Sequence, residues 1–312
     1  MMPDVSIIIA TYNVENYIER AIQSALAQRD IEVEVIVVDD GSTDKTWDAV
    51  CALNDPRVKS MRLDRNSGPS AARNAGLDLA TGEWIAILDG DDTMEPDRLA
   101  RLVRRARAEK ADIVVDNLEV RREADGAVYP MFEPVRFAAM KRLDLARFIQ
   151  GNQCFLGGGE ALGYLNPVFS TTFLRDHALH YDPNIRIGED YMLMAEALAS
   201  CAVCVVEAAA GYHYTARAGS ISHRLSLDDI GRIAAGDQKF LARHTLTSTA
   251  VKAQAKRTRR LNEARAFTLF VDALKRRDLR AVLATWLAHP LVPRHLWRAV
   301  WVRLQRALGG MR

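Results

Sequence analysis

The sequence predicts a doubly wound α/β domain followed by a basic helical extension. Three observations predict it. Apolar, largely β-branched runs such as VSIIIA (5–10) and VEVIVVDD (33–40) show little alternation, as strands buried on both faces of a parallel sheet do. Segments of helical period separate these runs up to about residue 120, and that alternation builds layered α/β domains. From about residue 227 the pattern is helical to the end, with a break near Pro290 and Pro293.

The elements follow in order. After the first strand, NVENYIERAIQSALAQ sets Ile18, Ile22, Ala25 and Leu26 at helical spacing, with Asn13 as the expected cap. A strand–helix–strand unit of this kind predicts a right-handed crossover between parallel strands. GSTDKTWDAVCAL reads as a short helix capped by Ser42 or Thr43, and VKSMRL (58–63) as an alternating strand. GPSAARNAGLDLATG begins after Gly68-Pro69 and stops at Gly82, the usual punctuation of a helix. EWIAILDGDD is the next strand, and a helix from about Pro96 puts Leu99, Leu102, Val103 and Ala106 on one face. DIVVDNLEV (112–120) is a further strand. The stretch 121–187 is irregular, with a Gly157-Gly158-Gly159 loop; a helix over Glu189–Ser200 and the strand CAVCVVE follow. Trp47 and Trp84 are expected in the core.

Composition excludes several classes. The chain has 312 residues, 49% hydrophobic and 26% charged, ordinary for a globular protein with a sizeable core. MMPDVSIIIA lacks a basic start and reads as no signal peptide. No run approaches the length of a membrane span, so a cytoplasmic location is expected. Cys201 and Cys204 fall on opposite faces of a strand, which favours half-buried reduced thiols over a redox pair or shared metal. Net charge is +2, yet residues 251–312 hold 15 Lys and Arg against 3 Asp and Glu, over an acidic body.

Ligands of open α/β sheets bind beyond the carboxyl ends of the strands. Three polar clusters sit at such ends: ATYN (10–13), DDGSTD (39–44) and LDGDD (88–92). Neither a G-x-G-x-x-G nor a G-x-x-x-x-G-K-[ST] loop is present, so a bound phosphate would need a metal for neutralisation. Asp89, Asp91 and Asp92 supply hard oxygen ligands suited to Mg²⁺ or Mn²⁺. A solvated Asp-Gly turn is the plainer reading of that cluster; its company with the other two favours a site.

VSIIIATYN, VIVVDDGSTD, GPSAARNAGL, WIAILDGDD and IGEDYMLMAEAL stand in the order and spacing of family 2 glycosyltransferases, which the chain resembles over about residues 4–217. Within that family the chain resembles bacterial exopolysaccharide enzymes of the succinoglycan type. The resemblance implies a GT-A fold, a Rossmann-like doubly wound mixed sheet, over residues 1–225, with a helical extension over 226–312. It implies inverting transfer of a hexose such as glucose from a UDP-sugar to a saccharide or lipid-linked oligosaccharide acceptor. Ala10, Thr11 and Tyr12 would cradle the nucleotide base, Asp40 would accept from uracil, and Arg73 would lie near the nucleotide. Asp89 would lie near the ribose, Asp91 would hold the metal, and Asp190 would be the catalytic base. A late loop would bring Arg217 onto the diphosphate. His213 reads as a packed strand residue rather than a metal ligand. Independently of the likeness, Glu189 and Asp190 suit the positive end of a helix.

RHLWRAVWVRLQRAL (294–308) sets Leu296, Val300, Leu304 and Leu308 in a stripe, with Trp297, Trp301 and four arginines around it. It reads equally as a membrane-surface helix or as a packed helix with a basic face. No motif accompanies the charge to suggest nucleic acid. Two other functions fit an acidic α/β cleft. A nucleotidyltransferase would need a glycine-rich basic loop where TYNVENY stands. A non-catalytic subunit of a polysaccharide assembly complex would have no use for intact metal and base carboxylates.

Overall fold

The computed structural model describes residues 2–156, 160–217, 225–292, 294 and 295. The chain begins β1 (Val5–Thr11), α1 (Ile18–Leu26), β2 (Val33–Asp39), α2 (Thr46–Cys51), β3 (Val58–Arg62), α3 (Pro69–Leu79) and β4 (Trp84–Asp89). These strands are parallel in the order β3-β2-β1-β4. The order reverses at β1, between β2 and β4, and a doubly wound sheet opens its ligand cleft at such a reversal.

The unbroken apolar runs have the expected cause: every residue of β2, and all of β1 except Ala10, is buried. Each fully buried Ile contributes about 1.5–3 kcal/mol of transfer free energy. On one side, Ile18, Ala21, Ile22 and Ala25 of α1 are buried. On the other, α3 approaches β1 so closely that a Cβ on Gly76 would lie 2.4 Å from Ile8 Cγ2. Trp84 is buried, and Trp47 packs partly buried on the same core.

The second half turns the sheet mixed. It comprises β5 (Thr93–Met94), α4 (Arg98–Glu109), β6 (Ile113–Arg122), β7 (Val128–Pro130), α5 (Pro134–Ala139) and α6 (Leu145–Gln150). Then come β8 (Val168–Ser170), α7 (Thr171–Asp176), α8 (Glu189–Ala199) and β9 (Cys204–Ala216). From β4 the order continues β8-β6-β9-β5. β8 is antiparallel to both β4 and β6, whereas β6 and β9 are parallel. Three residues are too few for β8 to show a period, so the stretch 121–187 reads as irregular in the sequence.

Several local expectations are corrected. Asn13 does not cap α1, whose first turn follows Tyr17 without a side-chain cap. Asn13 instead has φ of +51° and accepts from the Thr43 amide at 2.8 Å. Neither Ser42 nor Thr43 caps α2; the helix follows Lys45, and Asp44 accepts from the Thr46 amide. The late strand starts only at Cys204, which is buried, while Cys201 precedes it, exposed and at φ +69°. The two thiols therefore share neither a strand nor an environment.

The extension forms α9 (Leu227–Arg243), α10 (Ser248–Lys275) and α11 (Leu279–Ala288). A capping box between Ser226 and Asp229 starts α9. Phe240 of α9 and Ala253 of α10 join the main core. No described helix is long and apolar enough to cross a membrane. The expected glycine loop at 157–159, Pro293 and the stripe from Leu296 to Leu308 lie outside the described residues.

Candidate active site

Strand register brings the three polar clusters to one sheet edge. Thr11 stands opposite Asp39, and Ala10 opposite Asp89. The Asp40 amide donates to the Thr11 carbonyl at 2.8 Å, which ties the end of β2 to the end of β1. The buried Asp40 carboxylate accepts from the Ser67 and Gly68 amides at 2.7 and 2.8 Å. Burial pushes its pKa up, against those two hydrogen bonds. Its companion Asp39 is fully buried and structural, accepting from Ser42 and pairing with Arg62 at 3.1 Å. Tyr12, just past β1, is 38% exposed.

The LDGDD turn divides its carboxylates. Gly90 packs on β1: a Cβ there would lie 3.0 Å from Thr11 Oγ1 and 3.2 Å from Val14 Cγ2. Asp92 points inward and does not supply a ligand. It is buried, accepts from the Tyr212 hydroxyl (2.8 Å) and the Thr215 amide (2.6 Å), and has its pKa driven well up by burial and its neighbours. Asp89 and Asp91 remain for chemistry. Burial, then the charge of Asp89, raise Asp91, while Arg217 Nε holds its carboxylate at 2.6 Å. Arg217 also lies over the Tyr17 ring, 5.1 Å from its centroid. Arg20 secures the turn from below through the Asp91 carbonyl at 2.9 Å.

Arg73 is the hub of the site. Only 4% of its side chain is exposed. It reaches Asp89 at 2.7 Å, Glu189 at 2.5 Å and Asp190 at 3.2 Å. One guanidinium from α3 thus ties the end of β4 to the first turn of α8. Three carboxylates against one arginine leave excess negative charge. Burial, together with Glu189 and Asp89, outweighs Arg73 and lifts Asp190 to about 7. Glu189 also rises, chiefly through burial. A quarter of the Asp190 side chain nonetheless stays exposed.

Arg73, Asp89 and Asp190 therefore meet in one cluster; Asp91 and Arg217 pair beside it; and Ala10, Thr11, Tyr12 and Asp40 share the same sheet edge. His213 is not with them. It sits in β9, 2.9 Å from Glu95 and 3.0 Å from Arg121, a packed strand residue as its sequence context suggests. Sequence reasoning missed Tyr181, a buried residue whose hydroxyl hydrogen-bonds Asp190 and whose ring lies under Arg73. It also missed Arg186, whose charge acts on Asp40. Both lie in HYDPNIRIGED, directly ahead of the GED motif; proximity to that motif was the one available signal.

Among the described residues no group of three His, Cys, Asp or Glu could hold a metal alone. Asp89 and Asp91 do fit a hard divalent ion that takes its remaining ligands from phosphate oxygens and water. Their mutual repulsion is the feature such an ion would relieve.

Comparison with known proteins agrees with this geometry. A family profile described as "Glycosyl transferase family 2" matches residues 6–167. The succinoglycan biosynthesis protein ExoO of Rhizobium meliloti is 47% identical over 305 residues, covering 98% of this chain and 87% of that protein. The S. aureus TarS 1–349 structure in complex with UDP-GlcNAc superposes with a TM-score of 0.62 at 21% identity, covering 92% of this chain and 91% of that one. The mannosyltransferase PcManGT from Pyrobaculum calidifontis, in complex with GDP-Man and Mn²⁺, superposes with a TM-score of 0.60 at 20% identity, over 98% and 85%. At such identities the structural likenesses show the fold, GT-A.

Proposed function

Because the chain belongs to glycosyltransferase family 2, we propose that it transfers a hexose such as glucose, with inversion, from a UDP-sugar to a lipid-linked saccharide during exopolysaccharide assembly. The succinoglycan role in the name of the 47% identical relative supports the pathway class. A UDP-sugar in a structure of the same fold supports the donor class. We take residues 1–225 as the donor-binding and catalytic unit and 226–312 as its extension.

The observation that carries the reading is the Arg73 hub, which sets a carboxylate of pKa about 7 beside the LDGD turn. An inverting displacement needs a base for the acceptor hydroxyl. Asp190 takes that proton as the acceptor oxygen bonds to the anomeric carbon. The bond from that carbon to the phosphate oxygen breaks, and UDP leaves. A base with pKa near the working pH is both free to accept the proton and strong enough to hold it. Asp91, with Asp89, would hold Mg²⁺ or Mn²⁺, which supplies positive charge for the leaving diphosphate. Arg217, which pairs with Asp91, would clamp oxygens of the same diphosphate. Tyr12 would stack on the base, and Asp40, already oriented by two amides, would accept from uracil.

The test is UDP release from UDP-glucose with Mn²⁺, and transfer to membrane-extracted acceptor. Asp190→Asn should lower kcat by about 10²–10⁴-fold while UDP binding, measured by calorimetry, survives. Asp91→Ala should remove the stimulation by Mn²⁺. Unchanged kcat in Asp190→Asn would dismiss Asp190 as the base.

A further inference from the structure

The extension presents an apolar face that nothing in the described chain covers. Leu279, Leu283, Trp286 and Leu287 lie within about a quarter-turn of α11, given a turn of about 3.6 residues, and Leu291 follows its end. Their exposures run from 51% for Trp286 to 78% for Leu279. No residue of α11 is buried; at the flank of the stripe Val282 packs partly buried against Phe270 and its neighbours. Isolated exposed leucines need no explanation, but a contiguous stripe of this kind marks a contact surface.

The charge around the stripe identifies the partner. Arg276 and Arg277 precede α11, and Arg280 lies in its first turn beside Leu279. None of the three has an ion pair among the described residues. The nearby acids are engaged: Asp278 caps α11 through the Ala281 amide, and Asp272 faces Lys275. An apolar Leu/Trp stripe flanked by unpaired arginines matches an anionic bilayer, where the side chains enter the acyl boundary and the guanidinium groups meet phosphate. A second copy seated on the same face would bring the two arginine clusters together if the helices ran parallel, and if they ran antiparallel would set each cluster beside residues 283–292, which hold no acid. The chain's own residues 296–312 hold four arginines and no acid, and would meet the cluster with like charge.

We propose that α11 is a bilayer-docking face that holds the enzyme on anionic lipid. Its basis is independent of the donor chemistry, and vesicle binding is read without turnover, so either reading can fail alone.

The experiment is sedimentation of the full chain with phosphatidylcholine vesicles, with and without phosphatidylglycerol. The chain should pellet with the anionic vesicles, far less with the neutral ones, and less as salt is raised. Leu283→Glu with Trp286→Glu should weaken binding by about tenfold or more. Arg276→Ala, Arg277→Ala and Arg280→Ala should each weaken it by about fivefold. UDP release and melting temperature should stay at wild-type values in every variant. Equal pelleting of wild type and the double variant would overturn the proposal. So would a wild-type dimer, seen by light scattering, that the double variant turns into monomer, since the face would then join two copies. Absence of vesicle binding together with a lowered melting temperature in the double variant would assign the face to the chain's own tail.

Discussion

Asp190 illustrates how much a single arginine decides. Were all of Asp89, Glu189 and Asp190 ionised, the cluster around Arg73 would carry two negative charges in excess. Proton affinity rises instead, and Asp190 comes to about 7 from an ordinary carboxyl value of about 3.9. As a base it must be ionised, so kcat should climb with pH through about 7 and level off above it. The Tyr181 hydroxyl favours the ionised form. Tyr181→Phe should therefore move that limb to higher pH, which a pH–rate profile measures directly; a limb left in place would deny the hydrogen bond a role. The same shift bears on stability. A carboxyl raised in the folded state contributes stability that is present below about pH 3.9 and lost as pH rises through about 7. Asp190→Asn, which never ionises, should thus gain melting temperature relative to wild type across that window while losing transfer. The family resemblance points to Asp91 and Asp190, whereas spacing alone offers Asp89, Asp91 and Asp92 together. Asp92 could not be told from Asp91, because spacing does not say which way a turn residue points. Its inward course follows from Tyr212 and Thr215, some 120 residues away in sequence.

At the scale of elements, what could be read was what repeats. β1, β2 and β4 announce themselves because burial on both faces demands unbroken apolar runs, and α1 because one face is apolar at helical period. β8 could not be read: its three residues join the sheet only through partners on β4 and β6. The caps failed for a related reason. Asn13, Ser42 and Thr43 are all good capping residues, but other partners claimed them first, Asn13 and Thr43 each other across the sheet edge and Ser42 the neighbouring Asp39 in its own turn. Packing of α3 on β1 gives an element-scale prediction. Gly76→Ala would place a methyl group 2.4 Å from Ile8 Cγ2, and overpacking of this kind costs about 1–3 kcal/mol. Because Arg73 lies one turn earlier on α3, kcat should fall along with stability in urea titrations. Ile8→Ala in the same chain should recover part of both losses, whereas strictly additive effects would mean that the two residues do not compete for space.

For the whole molecule the question is whether the extension is an appendage or part of the catalytic body. Arg257 of α10, 2% exposed, pairs with Asp237 of α9 at 3.0 Å. It also donates to the Asn152 carbonyl at 3.1 Å and lies 3.7 Å from the centre of the Tyr191 ring. Tyr191 is the residue after Asp190, on the buried side of α8. The extension therefore braces the helix that carries the proposed base, and Phe240 and Ala253 extend the main core into it. Contacts of that kind couple unfolding, so urea should unfold the chain in one transition, with near-ultraviolet and far-ultraviolet dichroism coincident. Arg257→Met strands Asp237 as an unpaired buried charge, at a cost of about 3–5 kcal/mol, and should also lower kcat through a displaced α8. Adding Asp237→Leu removes the stranded charge and should restore most of the stability. If kcat returned with it, the brace would act by packing alone; if stability returned and kcat did not, the stacking of Arg257 on Tyr191 would be what aims Asp190. Two separate transitions in the wild type would instead make the extension an independent unit, and the brace would have no mechanical hold on the site.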